Sequence, residues 1–226
     1  MDRIERIEHP QESQLIVNEG LKAEIWKTMP GIIQSFDPIE MTVTVQPSLQ
    51  MWLENEVAGT AGWVSLPLLV DVPIVISSSG GMSITMPINA GDECLVSFAD
   101  RCMDAWWQLG SVQPQLEFRM HDLSDGFAFI GPRSLPRVLA NYSTTSMQLR
   151  SDDGLVTFDI DPTTHKITLT APGNLAIIAP TTTITGDVTI TGTLTATTDV
   201  IGGGKSLKTH VHSGVQSGSS NTGQPV

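Results

Sequence analysis

The stretch that decides the fold is ITGDVTITGTLTA, which spans residues 184–196. Its even positions carry Ile, Val, Leu, Ala or Gly, and its odd positions carry only Thr or Asp. Strand side chains alternate between two faces, so this pattern predicts a β-strand with one apolar face and one polar face. Gly186 and Gly192 recur on the apolar face, where a twisting strand needs space.

Such a strand needs a cover for its apolar face, because an open face and open edges would make it a template for aggregation. From Asn141 onward, basic and aromatic residues are rare and Thr, Gly, Ile and Val dominate, so any core here would be narrow. A monomeric β-sandwich is one interpretation, but the strands are long, the turns are few and large core side chains are missing. We favour an intertwined trimer, in which three chains wound about one axis bury that face and pair every edge.

Composition limits the classes of function. The chain has 226 residues and a net charge of −12, and an acidic surface repels phosphate backbones, so nucleic-acid binding is disfavoured. Two cysteines, Cys94 and Cys102, are too few for a disulfide framework, and we expect them to be buried thiols. Residues 1–20 lack the apolar segment of a signal peptide, and no apolar run approaches the ~18 residues of a membrane span.

The first part of the chain is predicted to be a small all-β domain behind a helical leader. Residues 1–30 are expected to be a leader and a helix that ends at Pro30, and residues 31–115 a five-stranded Greek-key barrel of the OB type. Residues 116–140, rich in Pro and Gly, are predicted to be a connector. The apolar face of the helix would consist of Val17, Leu21, Ile25 and Thr28.

The barrel is predicted from short segments of period two that are separated by Gly and Pro turns. These segments are residues 31–36, 41–46, 62–66, 72–76, 93–98 and 105–110. Trp106 and Trp107 are neighbours on the last segment and would face opposite ways on a strand. We therefore expect one of them inside the barrel and the other at a subunit contact.

His210 and His212 are the candidate metal ligands. Two residues apart on an extended chain, their side chains point the same way. Two imidazoles are too few to hold a metal tightly, but three chains on one axis would supply six nitrogens, which is an octahedral site. We expect iron, with nickel or zinc as alternatives, because structural zinc prefers four ligands. The other interpretation is two solvent-exposed histidines without a metal.

The second part of the chain is predicted to consist of a shaft over residues 141–205 and a metal-binding end over residues 206–226. The shaft is predicted to be an intertwined β-prism made by three chains. Only neutral imidazole binds a metal, so metal binding at the end is expected to weaken in acid.

Two other motifs have simpler explanations than catalysis. Residues 202–206, GGGKS, lack the first glycine of a phosphate-binding loop, because Asp199 stands in its place. His121, Asp122 and Ser124 are residue types of a hydrolytic triad, but so close in the chain they cannot adopt its geometry. A turn is predicted there.

Acidic residues in the second part could in principle serve as the two carboxylates of a glycosidase. They are Asp152, Asp153, Asp159 and Asp161. Each pair lies in a sequence with strong turn signals, and we favour turns over catalysis.

The segment GGKSLKTHVHSGVQ at residues 203–216, with NTGQP at residues 221–225, closely resembles the tip of the central spike of contractile-tailed bacteriophages, the baseplate assembly protein V type. Shorter segments resemble the OB-fold domain of the same family and occur in the expected order. They lie at residues 29–31, 42–47, 66–67, 72–73, 87–88, 91–92 and 121–125.

The resemblance implies a homotrimer with an OB-fold collar, a tapering triple-stranded β-helix and a sharp apex. It implies one iron ion per trimer, bound by His210 and His212 of each chain. It also implies contact with a tail hub or baseplate protein through the OB-fold end. The spike would be driven into the host outer membrane when the sheath contracts. The chain has no inserted lysozyme-like segment, so we expect piercing without catalysis, in a virion tail assembled in the host cytoplasm.

Two other functions stay open at this point. A receptor-binding or polysaccharide-cleaving tail spike would need a wide groove with aromatic residues or an acidic pair, and the shaft has only Tyr142 and Phe158 as aromatics. An OB-fold nucleic-acid binder could stack bases on Trp106 and Trp107, which the acidic charge opposes.

Overall fold

The computed structural model describes residues 14–15, 17–18, 20–21, 25–55, 60–214 and 218. The chain forms two compact units, Met1–Pro172 and Gly173–Val226. Strands make up nearly all of the regular structure, which confirms the all-β prediction. In chain order they are β1 (Thr28–Asp37), β2 (Thr42–Pro47), β3 (Gln50–Asn55), β4 (Thr60–Ser65), β5 (Leu69–Val75), β6 (Ser78–Ser79), β7 (Met82–Ser83), β8 (Glu93–Phe98), β9 (Gly126–Ile130), β10 (Met147–Arg150), β11 (Thr157–Asp161), β12 (Lys166–Thr170), β13 (Ile201–Gly202) and β14 (Lys205–Ser206).

Five strands of the first unit close into a barrel in the order β1-β2-β5-β9-β8. All neighbours are antiparallel except β5 and β9, which are parallel. Alternate residues of each strand point inward and fill the barrel with small apolar side chains. Its fully buried apolar members include Ile33, Val43, Val45, Cys94, Val96 and Ala128. The predicted five-stranded barrel is therefore present, and closure leaves it without an open edge.

The strand predicted over residues 105–110 is wrong, because Asp104–Leu109 is a short α-helix. The helix ends at Gly110, which has a φ of +66° and donates its N–H to the Trp106 carbonyl. Only Ala105 is buried against the barrel, so neither tryptophan enters it. Instead the Trp106 ring packs edge-on against Phe127 on the outside, with ring centroids 5.6 Å apart.

The fifth barrel strand is β9, which lies in the segment predicted to be a connector. The barrel thus continues to Ile130, beyond the predicted end at residue 115. β9 has only five residues between Pro- and Gly-rich neighbours, so its alternating pattern is short.

The N-terminal helix is also shorter than predicted. Residues 14, 15, 17, 18, 20 and 21 are helical, but Ile25 lies outside the helix and Thr28 begins β1. Pairing with β8 explains the difference, because Met29 and Pro30 lie opposite Val96 and Leu95 and complete the barrel. None of the helices among the described residues is both long and apolar enough to span a lipid bilayer.

A buried ion pair fixes the segment between the short helix and β9. The Asp125 carboxylate is fully buried and accepts hydrogen bonds from Arg119 Nε at 2.6 Å, Arg119 Nη2 at 2.9 Å and the Met103 N–H at 2.9 Å. Arg119 Nη2 also donates to Asp104 at 2.8 Å. These carboxylates raise the pKa of Arg119 further above its ordinary value, so the guanidinium stays charged. One arginine therefore ties the helix to the barrel.

A second polar cluster, the arginine joint, links the barrel to the following sheet. Arg133 donates two hydrogen bonds to the Asp152 carboxylate, at 2.8 and 2.9 Å. Glu93 at the start of β8 accepts from Ser134 N and Oγ, at 2.6 and 2.5 Å. These hydrogen bonds lower the pKa of both carboxyl groups, so both are ionised at neutral pH. The sheet beyond this joint has the order β10-β11-β12.

The second unit has little regular structure within one chain. Residues 173–200 are all described and contain no strand, although residues 184–196 were predicted to be one. A strand requires a hydrogen-bonded neighbour, and the described part of this chain offers none there. β13 and β14 follow as a short hairpin.

The barrel predicts a strong effect of a single added methyl group at Gly31. A Cβ at this position would overlap Val45 Cγ1, and the β-branched valine side chain has little freedom to move away. Gly31→Ala is expected to lower the free energy of unfolding by about 1–3 kcal/mol, measured by urea denaturation with tryptophan fluorescence. Gly62→Ala, where a Cβ would meet nothing within 4 Å, serves as the control. Equal unfolding midpoints for the two variants would contradict this account.

The buried ion pair predicts a similar loss when its carboxylate is neutralised. Asp125→Asn leaves the Arg119 guanidinium without a buried counter-charge and is expected to destabilise the first unit by about 3–5 kcal/mol. Asp100→Asn is the matched control, because Asp100 and its partner Arg101 are 67% and 50% exposed and should change stability by less than about 1 kcal/mol. Differential scanning calorimetry of both variants checks the difference, and a silent Asp125→Asn would refute the structural role of the pair.

Candidate metal centre

The candidate ligands follow a tight hairpin in the second unit. Ile201 pairs with Ser206 and Gly202 pairs with Lys205, so the turn consists of two residues. Those two, Gly203 and Gly204, have φ of +55° and +77°, the combination that a type I′ hairpin turn requires. The two glycines therefore form a β-turn.

Asp199 organises the base of this hairpin. Its Oδ1 accepts the Val200 N–H at 2.8 Å and the Lys208 N–H at 3.2 Å, so it joins the two ends of the hairpin. A hydrogen bond from the Ser206 side chain, followed by these backbone bonds, lowers the pKa of Asp199. The backbone adds a further bond, from the Leu207 N–H to the Val200 carbonyl at 2.9 Å. The structural role of Asp199 was not predicted from the sequence. A carboxylate three residues before the glycine-rich turn was the signal that could have indicated it.

His210 is held by the turn that leaves the hairpin. Its backbone N–H donates to the Ser206 carbonyl at 3.0 Å, and its ring Nδ1 lies 3.1 Å from the carbonyl oxygens of Ser206 and Leu207. A carbonyl can only accept a hydrogen bond, so Nδ1 must carry the proton. In the neutral ring Nε2 then bears the free lone pair, which is the state of a metal-binding imidazole.

His212 lies beside His210. The two ring centroids are 5.0 Å apart and the ring planes are inclined by 78°. Both side chains are exposed, and the structure thus brings together the two predicted ligands. Among the described residues this site contains two imidazoles.

Within the described residues, the cluster of three potential ligands is elsewhere, at Cys102, Asp104 and Asp125. Arg119 already lies between the two carboxylates and bonds to both, at 2.6 to 2.9 Å. A cation is therefore in place, and the cluster is a structural ion pair rather than a metal site. Cys102 and Cys94 are free, buried thiols as predicted, and burial raises the pKa of Cys94 to about 11.

The candidate catalytic groups do not form catalytic arrangements. His121 Nε2 faces Asp100 at 3.1 Å, whereas Asp122 accepts the backbone N–H of Ser124 at 2.9 Å in a local turn. Asp125 is engaged by Arg119. The predicted turn is thus observed, and no triad links these residues.

The four acidic residues considered as glycosidase carboxylates, Asp152, Asp153, Asp159 and Asp161, all accept hydrogen bonds. The pKa of every one of them is lowered, first of all by a side-chain hydrogen bond: from Arg133 to Asp152, Ser151 to Asp153, Ser146 to Asp159 and Thr164 to Asp161. A glycosidase needs one carboxyl group with a raised pKa to donate a proton. These residues do not provide it.

Comparison with known protein families gives two matches. Residues 29–131 match the phage protein Gp138 N-terminal domain, and these residues contain the whole barrel. Residues 206–226 match the GpV Apex motif, which includes both histidines. A search of curated proteins finds no match to the chain. Both matched families are phage tail-spike proteins, so the chain has a structural role in the tail of a virion. The order of a Gp138-type barrel followed by a GpV apex matches a phage central spike protein of the GpV type.

Proposed function

We propose that this protein is the membrane-piercing central spike of a contractile phage tail or related injection particle, and that it acts as a homotrimer without catalysis. Three copies would form a collar of barrels, a triple-stranded β-helical shaft and a metal-bound apex. Sheath contraction would then drive the apex through the host outer membrane. The barrel end would contact the tail hub or baseplate protein, after assembly in the host cytoplasm.

The main support for this proposal is that residues 173–198 lack backbone hydrogen-bond partners among the described residues and expose their large apolar side chains. This segment is described without a gap, and no backbone hydrogen bond joins it to any other described residue or joins two of its own residues. The large apolar side chains are also open to solvent. They are Leu175, Ile177, Ile178, Ile184, Val188, Ile190 and Leu194, which are 51–96% exposed. A folded protein leaves neither backbone groups nor such a row of apolar side chains without partners.

Three chains wound about one axis would supply both kinds of partner. Each strand would pair with strands of the other two chains, which removes the open edges. The alternating Ile, Val, Leu and Ala side chains would meet at the axis, and the threonines would face water. Because these inner side chains are small, the shaft would be slender, as a piercing element requires.

The two histidines fit a metal on that axis. His210 presents Nε2 because Nδ1 is bound by backbone carbonyls, and His212 lies beside it with its ring exposed. We propose that six imidazole nitrogens from three chains bind one iron ion, with nickel or zinc as less suitable occupants. The ion would cross-link the chains at the tip. Asp199 and the hairpin would hold each His210 in position under load.

Removal of the ligands provides the first test. Elemental analysis of the purified wild-type protein is expected to give roughly one iron per three chains. His210→Ala combined with His212→Ala is expected to abolish this iron content. It should also lower the Tm, because an ion bound only to the folded state stabilises it. His165→Asn is the control, since His165 is exposed, lies outside the candidate site and has a positive φ that Asn tolerates. Unchanged metal content in the double variant would refute the site.

Particles that carry the same two variants test the piercing role. We expect both to assemble and contract as judged by electron microscopy. Outer-membrane permeability, measured by uptake of a hydrophobic dye, should fall severalfold only for the double histidine variant. Wild-type contraction without a rise in dye uptake would contradict piercing. Release of reducing sugars from host surface glycans by the purified protein would support a polysaccharide-cleaving spike instead.

A further inference from the structure

The apolar core of the barrel does not extend into the β10-β11-β12 sheet. The core and the half-buried side chains that pack against it all lie between Trp26 and Ile130. The linker that follows, residues 131–137, does not add to it, because Leu135 is 85% exposed. Among the described residues, the barrel core thus ends before the sheet begins, and polar contacts must set the angle between the two.

Two polar contacts attach the linker to the barrel. Ser134 donates from N and Oγ to the Glu93 carboxylate, at 2.6 and 2.5 Å. Arg137 donates to the Gly91 carbonyl oxygen, and its Nη2 lies 3.5 Å from the Asp92 carboxylate. All three acceptors lie at one end of β8, where this strand starts. The linker is therefore a fixed extension of the barrel.

The segment that leads into β10 is attached to the sheet instead. Arg150 of β10 donates from Nη1 to the Asn141 carbonyl oxygen at 2.8 Å. Ser146 Oγ donates to the Asp159 carboxylate of β11 at 2.6 Å. Residues 138–140 alone lie between the part fixed to the barrel and the part fixed to the sheet, and they are neither helix nor strand.

One ion pair bridges the two fixed parts. Arg133 of the linker donates from Nη1 and Nη2 to the Asp152 carboxylate, at 2.9 and 2.8 Å. Among the described residues, no other hydrogen bond joins the chain before residue 138 to the sheet. The two side chains are 40% and 70% exposed, and exposed ion pairs contribute little stability and are screened by salt. The fork of the guanidinium specifies one geometry, but the bond can break without unfolding either part.

A cleft beside the ion pair leaves space for a change of angle. Its volume is about 360 Å³, and its lining includes Pro87 and Ile130 from the barrel and Ser151 from the turn after β10. Close-packed protein interiors contain few voids larger than a water molecule. The barrel and the sheet are therefore not packed tightly against each other at this point.

We propose that the arginine joint is a releasable lock. The Arg133–Asp152 pair holds the sheet at one angle to the barrel, and rupture of the pair lets the sheet rotate about residues 138–140. Because salt screens the pair, the lock opens as ionic strength rises. The barrel and the sheet keep their own hydrogen bonds in both states, so the barrel can adjust its orientation without unfolding. The device lies within one chain and does not depend on the function proposed above.

Distances between two spin labels on the full-length chain test the lock. Ile39→Cys lies in the turn between β1 and β2, and Thr163→Cys lies in the turn between β11 and β12; both positions are exposed. Co-expression with an excess of unlabelled chain leaves one labelled copy in any assembly, so the measured distance lies within one chain. Cys94 and Cys102 are buried and add little background. At an ionic strength of about 0.01 M, where screening is weak, pulsed electron paramagnetic resonance should give one narrow distance distribution.

Loss of the ion pair should widen that distribution by about twofold or more, because the remaining link is flexible. Asp152→Asn and Arg133→Gln should each do so at low salt, and about 1 M salt should do so without either change. Asp153→Asn is the matched control and should keep the narrow distribution, because Asp153 accepts the Leu155 N–H inside its own turn at 3.0 Å.

Three outcomes would overturn the lock. One is a narrow distribution in both Asp152→Asn and Arg133→Gln at low salt, which would show that the pair does not set the angle. Another is widening in only one of these two variants, which would indicate a local fold defect. The third is an equal width at low and high salt in the chain that keeps the ion pair.

Discussion

The constraint on which this structure depends is that a sheet or strand with an apolar face must have something to cover it. The barrel meets the constraint alone, because five strands close on themselves and enclose Ile33, Val45 and Val96. The chain beyond the barrel does not meet it. The β10-β11-β12 sheet and residues 173–198 both leave rows of large apolar side chains in solvent. Among the described residues nothing covers either row. The proposed trimer would cover both.

The two parts of the chain consequently differ in what stabilises them. The barrel has a closed core, and the Asp125–Arg119 ion pair holds the short helix and the following segment against it. Its stability is a property of one chain. The arginine joint, with Arg133 bound to Asp152, then connects this self-sufficient part to the sheet. In the proposed spike, the arginine joint would transmit force from the barrels to the shaft. The shaft would be stable only when three chains associate.

The elements that were predicted from the sequence are those with a long, regular pattern. The hairpin of β1 and β2 and the strand β8 alternate clearly and were predicted. The HVH motif is local in the sequence, so it was recognised as well. The helix Asp104–Leu109 was missed because its single turn buries only Ala105 and shows no helical period. β9 was missed because its five residues form a strand by pairing with β5 and β8, which are distant in the sequence. The local sequence pattern does not contain that information. The sheet β10-β11-β12 was not predicted for the same reason. Its register places Ile160 between Met147 and Ile167, which are far apart in the sequence.

The order of the two exposed apolar segments along the chain indicates how the proposed trimer would form. Winding residues 173–198 would require three extended segments to meet in register, and little is gained until many residues have paired. The sheet β10-β11-β12 has no such requirement, because each chain folds it on its own before the copies meet. Once three faces are joined, the segments that follow them are held at a high effective concentration, and their pairing becomes an intramolecular step. A metal bound by His210 and His212 at the far end would then close the wound segment from its other side, so that neither end of the shaft could fray.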